Sequence, residues 1–180
     1  MKLVRNAGTD RVIDQVRPLF RAGTRFDVVS AALSLFAYAE LLPETAGMAG
    51  CRLLLPPDGS DLALLGGESD RAARNRLQTP WLAARLARWL EEKAEIRRAL
   101  GPVPQGAFVI RDAAGQPLQA LLGSLGFSTD GLGLTPGNPL SLIQASETPE
   151  EAHLLSQWFE AQWSGLTRED QRVSPLLAGL

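Results

Sequence analysis

Leu121-Leu122-Gly123-Ser124-Leu125-Gly126-Phe127-Ser128-Thr129-Asp130-Gly131-Leu132-Gly133 is the stretch on which the fold turns. Its apolar start reads as a buried strand, and its glycines read as a tight turn that needs positive φ. A second apolar strand, Gln105 to Ile110, lies ahead of it. Asp112-Ala113-Ala114-Gly115 is a turn between the two, so the pair is expected to form a hairpin. Downstream, Leu140 to Ala145 reads as a further strand. Thr148-Pro149-Glu150-Glu151 then signals a helix start, with Thr as cap, Pro at the first helical position and Glu behind it. That amphipathic helix runs to about Trp163.

Upstream, Val12, Ile13, Val16, Leu19 and Phe20 share one face of a helix that Thr9 or Asp10 caps. Arg25 to Ser30 is rich in β-branched and aromatic residues and reads as a strand. Leu33 to Leu42 reads as a helix closed by Pro43, and Arg52 to Leu55 as a buried strand ended by Pro56-Pro57-Asp58-Gly59. Strand, helix and strand at this spacing predict a parallel pair. The segment Ser69 to Leu100, heavy in Arg, Ala, Leu and Glu, reads as one or two helices with Pro80 in the first turn of the second.

The 180 residues fit one domain with a real core. An apolar fraction of 45% and a charged fraction of 21% are ordinary for a globular protein. A net charge of -2 offers no global attraction for nucleic acid, although the cations are unevenly spread. One cysteine, Cys51, excludes an intrachain disulfide and a cysteine metal cluster, and its apolar surroundings predict a small buried hydrophobe. No apolar stretch reaches the ~20 residues that span a bilayer, and Met1 to Asn6 lacks a signal-peptide core. A cytoplasmic protein without membrane contact is expected. No internal repeat or low-complexity tract interrupts the chain.

The order of elements, with Gly123-Ser124 and the glycine turn after the second strand, resembles the C-terminal half of a phospholipase D-like nuclease domain. The resemblance covers about Asp10 to Trp163. In that family a strand bearing His-x-Lys precedes a Gly-Ser-x-Asn strand and turn. A histidine nucleophile attacks phosphorus, a second histidine protonates the leaving group, and lysine and asparagine hold the phosphate oxygens. Members with a single motif generally work as dimers. Here Gln105-Gly106-Ala107 falls where His-x-Lys is expected, and Gly126 where asparagine is expected, while Gly123 and Ser124 match. Gln105 has no imidazole and Ala107 has no charge.

Other chemistries find little support. The one histidine, His153, lies inside the last predicted helix and reads as a surface or groove-edge residue. Gly123-Ser124-Leu125-Gly126 lacks the Gly-x-Ser-x-Gly pattern of a nucleophile elbow, and no histidine base is placed for Ser124. The glycine turn is followed by no Gly-Lys-Ser/Thr, so it is not a phosphate-binding Walker loop. No cofactor and no metal site are expected.

Two features suit binding. Arg71, Arg74 and Arg76, in the run Asp70-Arg71-Ala72-Ala73-Arg74-Asn75-Arg76, are less balanced by acid, which suits phosphate contact; a solvated face of Glu/Arg pairs is the plainer reading farther on, near Glu91, Glu92 and Glu95. Trp158 and Trp163 with Phe159 form either helix-packing core or a partner surface.

The expected fold is therefore α/β, a mixed sheet with helices on both faces, like a single phospholipase D-like half. Residues 1–165 form the domain, and 166–180 a tail or linker toward a downstream region. The expected function is a catalytically silent nuclease-like module that binds DNA or a partner. The resemblance implies a homodimer through the two-fold face and fusion to a helicase or restriction-type nuclease in bacterial defence. An oligomerisation scaffold without nucleic-acid affinity is the alternative, and a residual phosphodiesterase or Ser124 hydrolase a further one.

Overall fold

A computed structural model describes residues 1–74 and 78–167. The elements in chain order are β1 (Lys2–Leu3), α1 (Val12–Val16) with a 3-10 turn (Arg17–Leu19), β2 (Arg25–Val29), α2 (Leu35–Glu40), α3 (Leu42–Gly47) and β3 (Gly50–Leu55). A 3-10 turn (Glu68–Asp70) opens the second half, followed by α4 (Arg71–Arg74), α5 (Thr79–Lys93), β4 (Ala94–Arg98), β5 (Gly106–Arg111), β6 (Pro117–Gly123), α6 (Thr129–Leu132), β7 (Ile143–Ala145) and α7 (Pro149–Ser164).

The strands form one mixed sheet in the order β1-β7-β6-β5-β2-β3-β4. The run β2, β3, β4 is parallel, as the strand–helix–strand reading requires, and β5, β6, β7 and β1 add on antiparallel. The β5–β6 hairpin closes through Asp112, whose carboxylate accepts from the Gln116 amide at 2.8 Å, with Gly115 at φ +85°.

Strand alternation divides the core in two. Phe26, Val28, Leu53, Leu55, Phe108, Ile110 and Leu121 face α1, α2 and α5 in the larger cluster. Val29, Leu54 and Ala107 face the other way and meet Phe159 and Trp163 of α7, while Val109 and Ala120 meet Ala152 of the same helix. Helices therefore cover both faces. The Thr148 cap is in place: its Oγ1 accepts from the Glu151 amide at 3.2 Å. Cys51 is buried, and loss of solvation pushes its thiol well above the ordinary range.

Five expectations need correction. The N-cap of α1 is Arg11, not Thr9 or Asp10. The helical reading of 69–100 fails at its end, because Ala94–Arg98 is a strand paired with β3; Ala94 and Ile96 alternate inward between charged Glu95 and Arg97, a two-residue period hidden in a helix-forming composition. Pro43 does not close a helix but sits in the first turn of α3, so one expected helix is two short ones. The glycine turn contains a helical turn of its own, α6, capped by the Ser128 hydroxyl. The strand expected over Leu140–Ala145 is reduced to Ile143–Ala145, with Leu140 and Leu142 exposed. The tail beyond 167 lies outside the described residues.

Candidate functional site

Gln105 and Ser124 flank the paired residues Gly106 and Gly123 at the open end of the hairpin. This is the end where parallel β2 and β3 finish, the usual place for a site in an open α/β sheet. Glycine is required here twice. Gly123 has φ +127° beside the Leu142 carbonyl, and a Cβ on Gly106 would strike the Leu125 carbonyl. Gln105 and Ser124 are exposed, and the structure brings them to the same edge.

The other two positions are closed. Ala107 is 4% exposed and forms one buried cluster with Val29, Leu54, Phe159 and Trp163. Gly126 is buried, and a Cβ there would come within 2.9 Å of Ser30 Oγ. That hydroxyl cannot easily yield, because it donates to the Ala32 carbonyl at 2.6 Å and accepts from the Phe127 amide at 2.8 Å. The space for a larger side chain at either position is taken by the protein itself.

Ser124 lines an open cleft of about 640 Å³ with Arg5, Asn6, Arg11 and Asp130. No imidazole lines it. Arg11 is committed to Asp14 through two hydrogen bonds of 2.8 and 2.9 Å, and Arg5 reaches Asp10 at 3.7 Å. His153 stands exposed on α7, 3.2 Å from Gln157 of the same helix. The cleft therefore offers a hydroxyl without a base beside it.

A charged lattice that sequence reading missed fastens α7 to the sheet. Asp27 of β2 is buried and accepts two hydrogen bonds of 2.7 Å from Arg52 of β3 and one of 2.5 Å from Arg111 of β5. Glu160 of α7 accepts from the same two arginines at 2.6 and 3.1 Å. Burial disfavours the Arg52 charge, but its bonds to Asp27 and Glu160 outweigh that and raise its pKa. The Arg52 hydrogen bond in turn lowers the pKa of Glu160. These residues border a 580 Å³ cleft near the beginnings of β2, β3 and β4, where their charges cancel one another. The only early signal was an aspartate inside an otherwise apolar strand, Phe26-Asp27-Val28.

The arginines expected to meet phosphate divide. Arg71 is exposed and pairs with Glu68 at 3.1 Å, whereas Arg74 donates to the Gly67 carbonyl at 2.6 Å and has its Nε buried. Arg76 lies outside the described residues. Of the aromatic trio, Phe159 and Trp163 stack at 5.6 Å in the core, and Trp158 is 41% exposed.

A seven-stranded mixed sheet covered on both faces, with the hairpin ends forming one edge, is the architecture of a phospholipase D-like half-domain. The particular likeness is to a phospholipase D family member, Nuc from Salmonella typhimurium: TM-score 0.50 at 9% identity, covering 88% of each chain. NucT from Helicobacter pylori aligns at TM-score 0.48 and 12% identity over 87% of this chain and 91% of that one. No protein-family model and no curated protein matches the sequence.

Proposed function

We propose that this chain is a nuclease-fold module that works by binding, to DNA or to a partner, and not by cleaving phosphodiesters. The observation that carries this is Ala107. Where the family resemblance calls for a lysine, the chain has a methyl group buried under Phe159 and Trp163. Position 107 offers a phosphate no ammonium group, and Gln105 beside it is a neutral amide that forms no stable phosphoenzyme. Neither a cofactor nor a metal enters this reading; among the described residues no group of three His, Cys, Asp or Glu is arranged to hold an ion.

On the resemblance alone, the reading extends to a larger helicase or restriction-type defence protein. A cytoplasmic setting suits the single buried thiol of Cys51. Among the described residues, no helix is long and apolar enough to cross a membrane. The second reading is an assembly scaffold. It is favoured by Leu154 and Trp158, which stand one turn apart on α7 and are 70% and 41% exposed.

The test is a phosphodiesterase assay on single- and double-stranded DNA, with and without divalent cations, together with labelling by an active-serine probe. We expect no turnover above buffer and no labelling. Cleavage that disappears in Gln105→Ala or Ser124→Ala protein would sink the proposal.

A further inference from the structure

We infer that the outer face of α5, with the cleft beside it, binds single-stranded nucleic acid on the side of the sheet opposite α7. The inference rests on reading the module as a binder. It adds a surface away from the hairpin edge and a ligand chemistry for that surface.

From Arg71 to Leu90 the chain holds five arginines and no acidic residue, with Glu68 and Asp70 just before this stretch and Glu91 and Glu92 just after it. Within α5 the helical period puts Leu86, Trp89 and Leu90 into the core and leaves Trp81, Arg85 and Arg88 outside. Trp81 is 53% exposed, so part of its ring is open to solvent. The Arg85 guanidinium sits 5.1 Å from its ring centroid, so charge and aromatic face are already assembled as one platform. Arg71 on the preceding α4 is also exposed but is already paired with Glu68 at 3.1 Å, so Arg85 and Arg88 carry the phosphate contacts.

Trp81 also forms one wall of a cleft of about 410 Å³, between α2, α4, α5 and α6. Phe36, Leu82 and Leu134 make it largely apolar, Gln78 and Thr79 bring polar groups to it, and Glu40, which also lines it, is paired with Arg17 at 3.0 Å. Its volume falls in the ~300–1,000 Å³ range of small-ligand pockets, enough for an unstacked base. The aromatic walls suit the π-face of that base, and the amide and hydroxyl suit its edge. The external arginines suit the phosphates on either side. A duplex keeps its bases stacked and can offer this cleft nothing, so the cleft selects the single strand. A protein partner with an acidic face would satisfy the arginines but leave the cleft unexplained.

The experiment is fluorescence anisotropy of labelled 20-nucleotide oligo(dT) and oligo(U), and of a 20-base-pair duplex, across a salt series. It compares the wild-type chain with Trp81→Ala and Arg85→Gln/Arg88→Gln variants, each checked for an unchanged thermal melt. All three side chains are exposed, so folding should survive. We expect the single strands to bind more tightly than the duplex. Trp81→Ala should weaken single-strand binding about tenfold, within the range for loss of one stacked base, with little change in salt slope. The double arginine variant should reduce that slope by about 1.4, or ~0.7 per lost phosphate contact. Single-strand binding that all the folded variants retain would overturn this site and leave the binding module standing. Absence of binding to any of the three nucleic acids at low salt would overturn this site and remove DNA as the module's ligand. The DNA and RNA probes separate the two sources of the same chemistry.

Discussion

Ala107 pairs across the sheet with Val29, which pairs with Leu54, and the row ends against two α7 aromatics. A lysine in that row would have to bury an ammonium group where no carboxylate belongs to the cluster. Ala107→Lys should therefore cost at least about 3 kcal/mol in chemical denaturation, a typical penalty for an uncompensated buried charge. Gln105→His, at an exposed position, should leave the midpoint within about 0.5 kcal/mol. If Ala107→Lys is tolerated as readily, α7 does not seal the site, and the physical case for a silent module weakens. The contrast also shows what residue types reveal by themselves. That Gln105 carries no imidazole and Ala107 no charge is legible from residue type, whereas the packing over Ala107 depends on Phe159 and Trp163, which lie about fifty residues away in sequence.

At the scale of elements, α7 is held by an apolar row and by the Asp27–Arg52–Arg111–Glu160 lattice. Pairing with Arg52 depresses the folded-state pKa of Glu160 below its ordinary 4.5. A carboxylate lowered in this way stabilises the fold above its unfolded pKa, and that contribution disappears as pH falls through the lower folded value. Wild-type protein should thus exceed Glu160→Gln in stability by about 1 kcal/mol or less at neutral pH, since Glu160 is half exposed and screened by solvent. The difference should fade below pH 4.5. Urea midpoints of both proteins measured from pH 7 to pH 3 decide it, and a difference that does not vary with pH would remove the electrostatic account of α7 docking.

The hairpin, the parallel pair and the Thr148 cap were legible because each has a local signature: a turn, a period or a capping residue. β4 was not, because Glu, Lys and Arg around Ala94 and Ile96 raise helix propensity, and only pairing with β3 determines the outcome. The lattice was illegible for a related reason. Its four members come from four elements, and Asp27 is explained only by arginines 25 and 84 residues further along.

For the whole molecule, the question is which surface carries assembly and which carries ligand. The two candidates lie on opposite faces of the sheet: Leu154 and Trp158 on α7, and Trp81 with its arginines on α5. Their chemistry differs as well. The α7 pair is apolar, with Gln157 and His153 between and beside its members, whereas the α5 face beside Trp81 carries Arg85 and Arg88. Two copies meeting through cationic faces would repel, so an isologous dimer should use α7 and leave α5 open. Leu154→Glu/Trp158→Glu should accordingly convert any dimer to monomer in sedimentation analysis, while oligo(dT) affinity per chain changes less than about threefold. Loss of oligo(dT) binding together with the dimer would mean that one composite surface serves both purposes. A monomeric wild-type chain would remove the scaffold reading and leave α5 as the surface through which the module works.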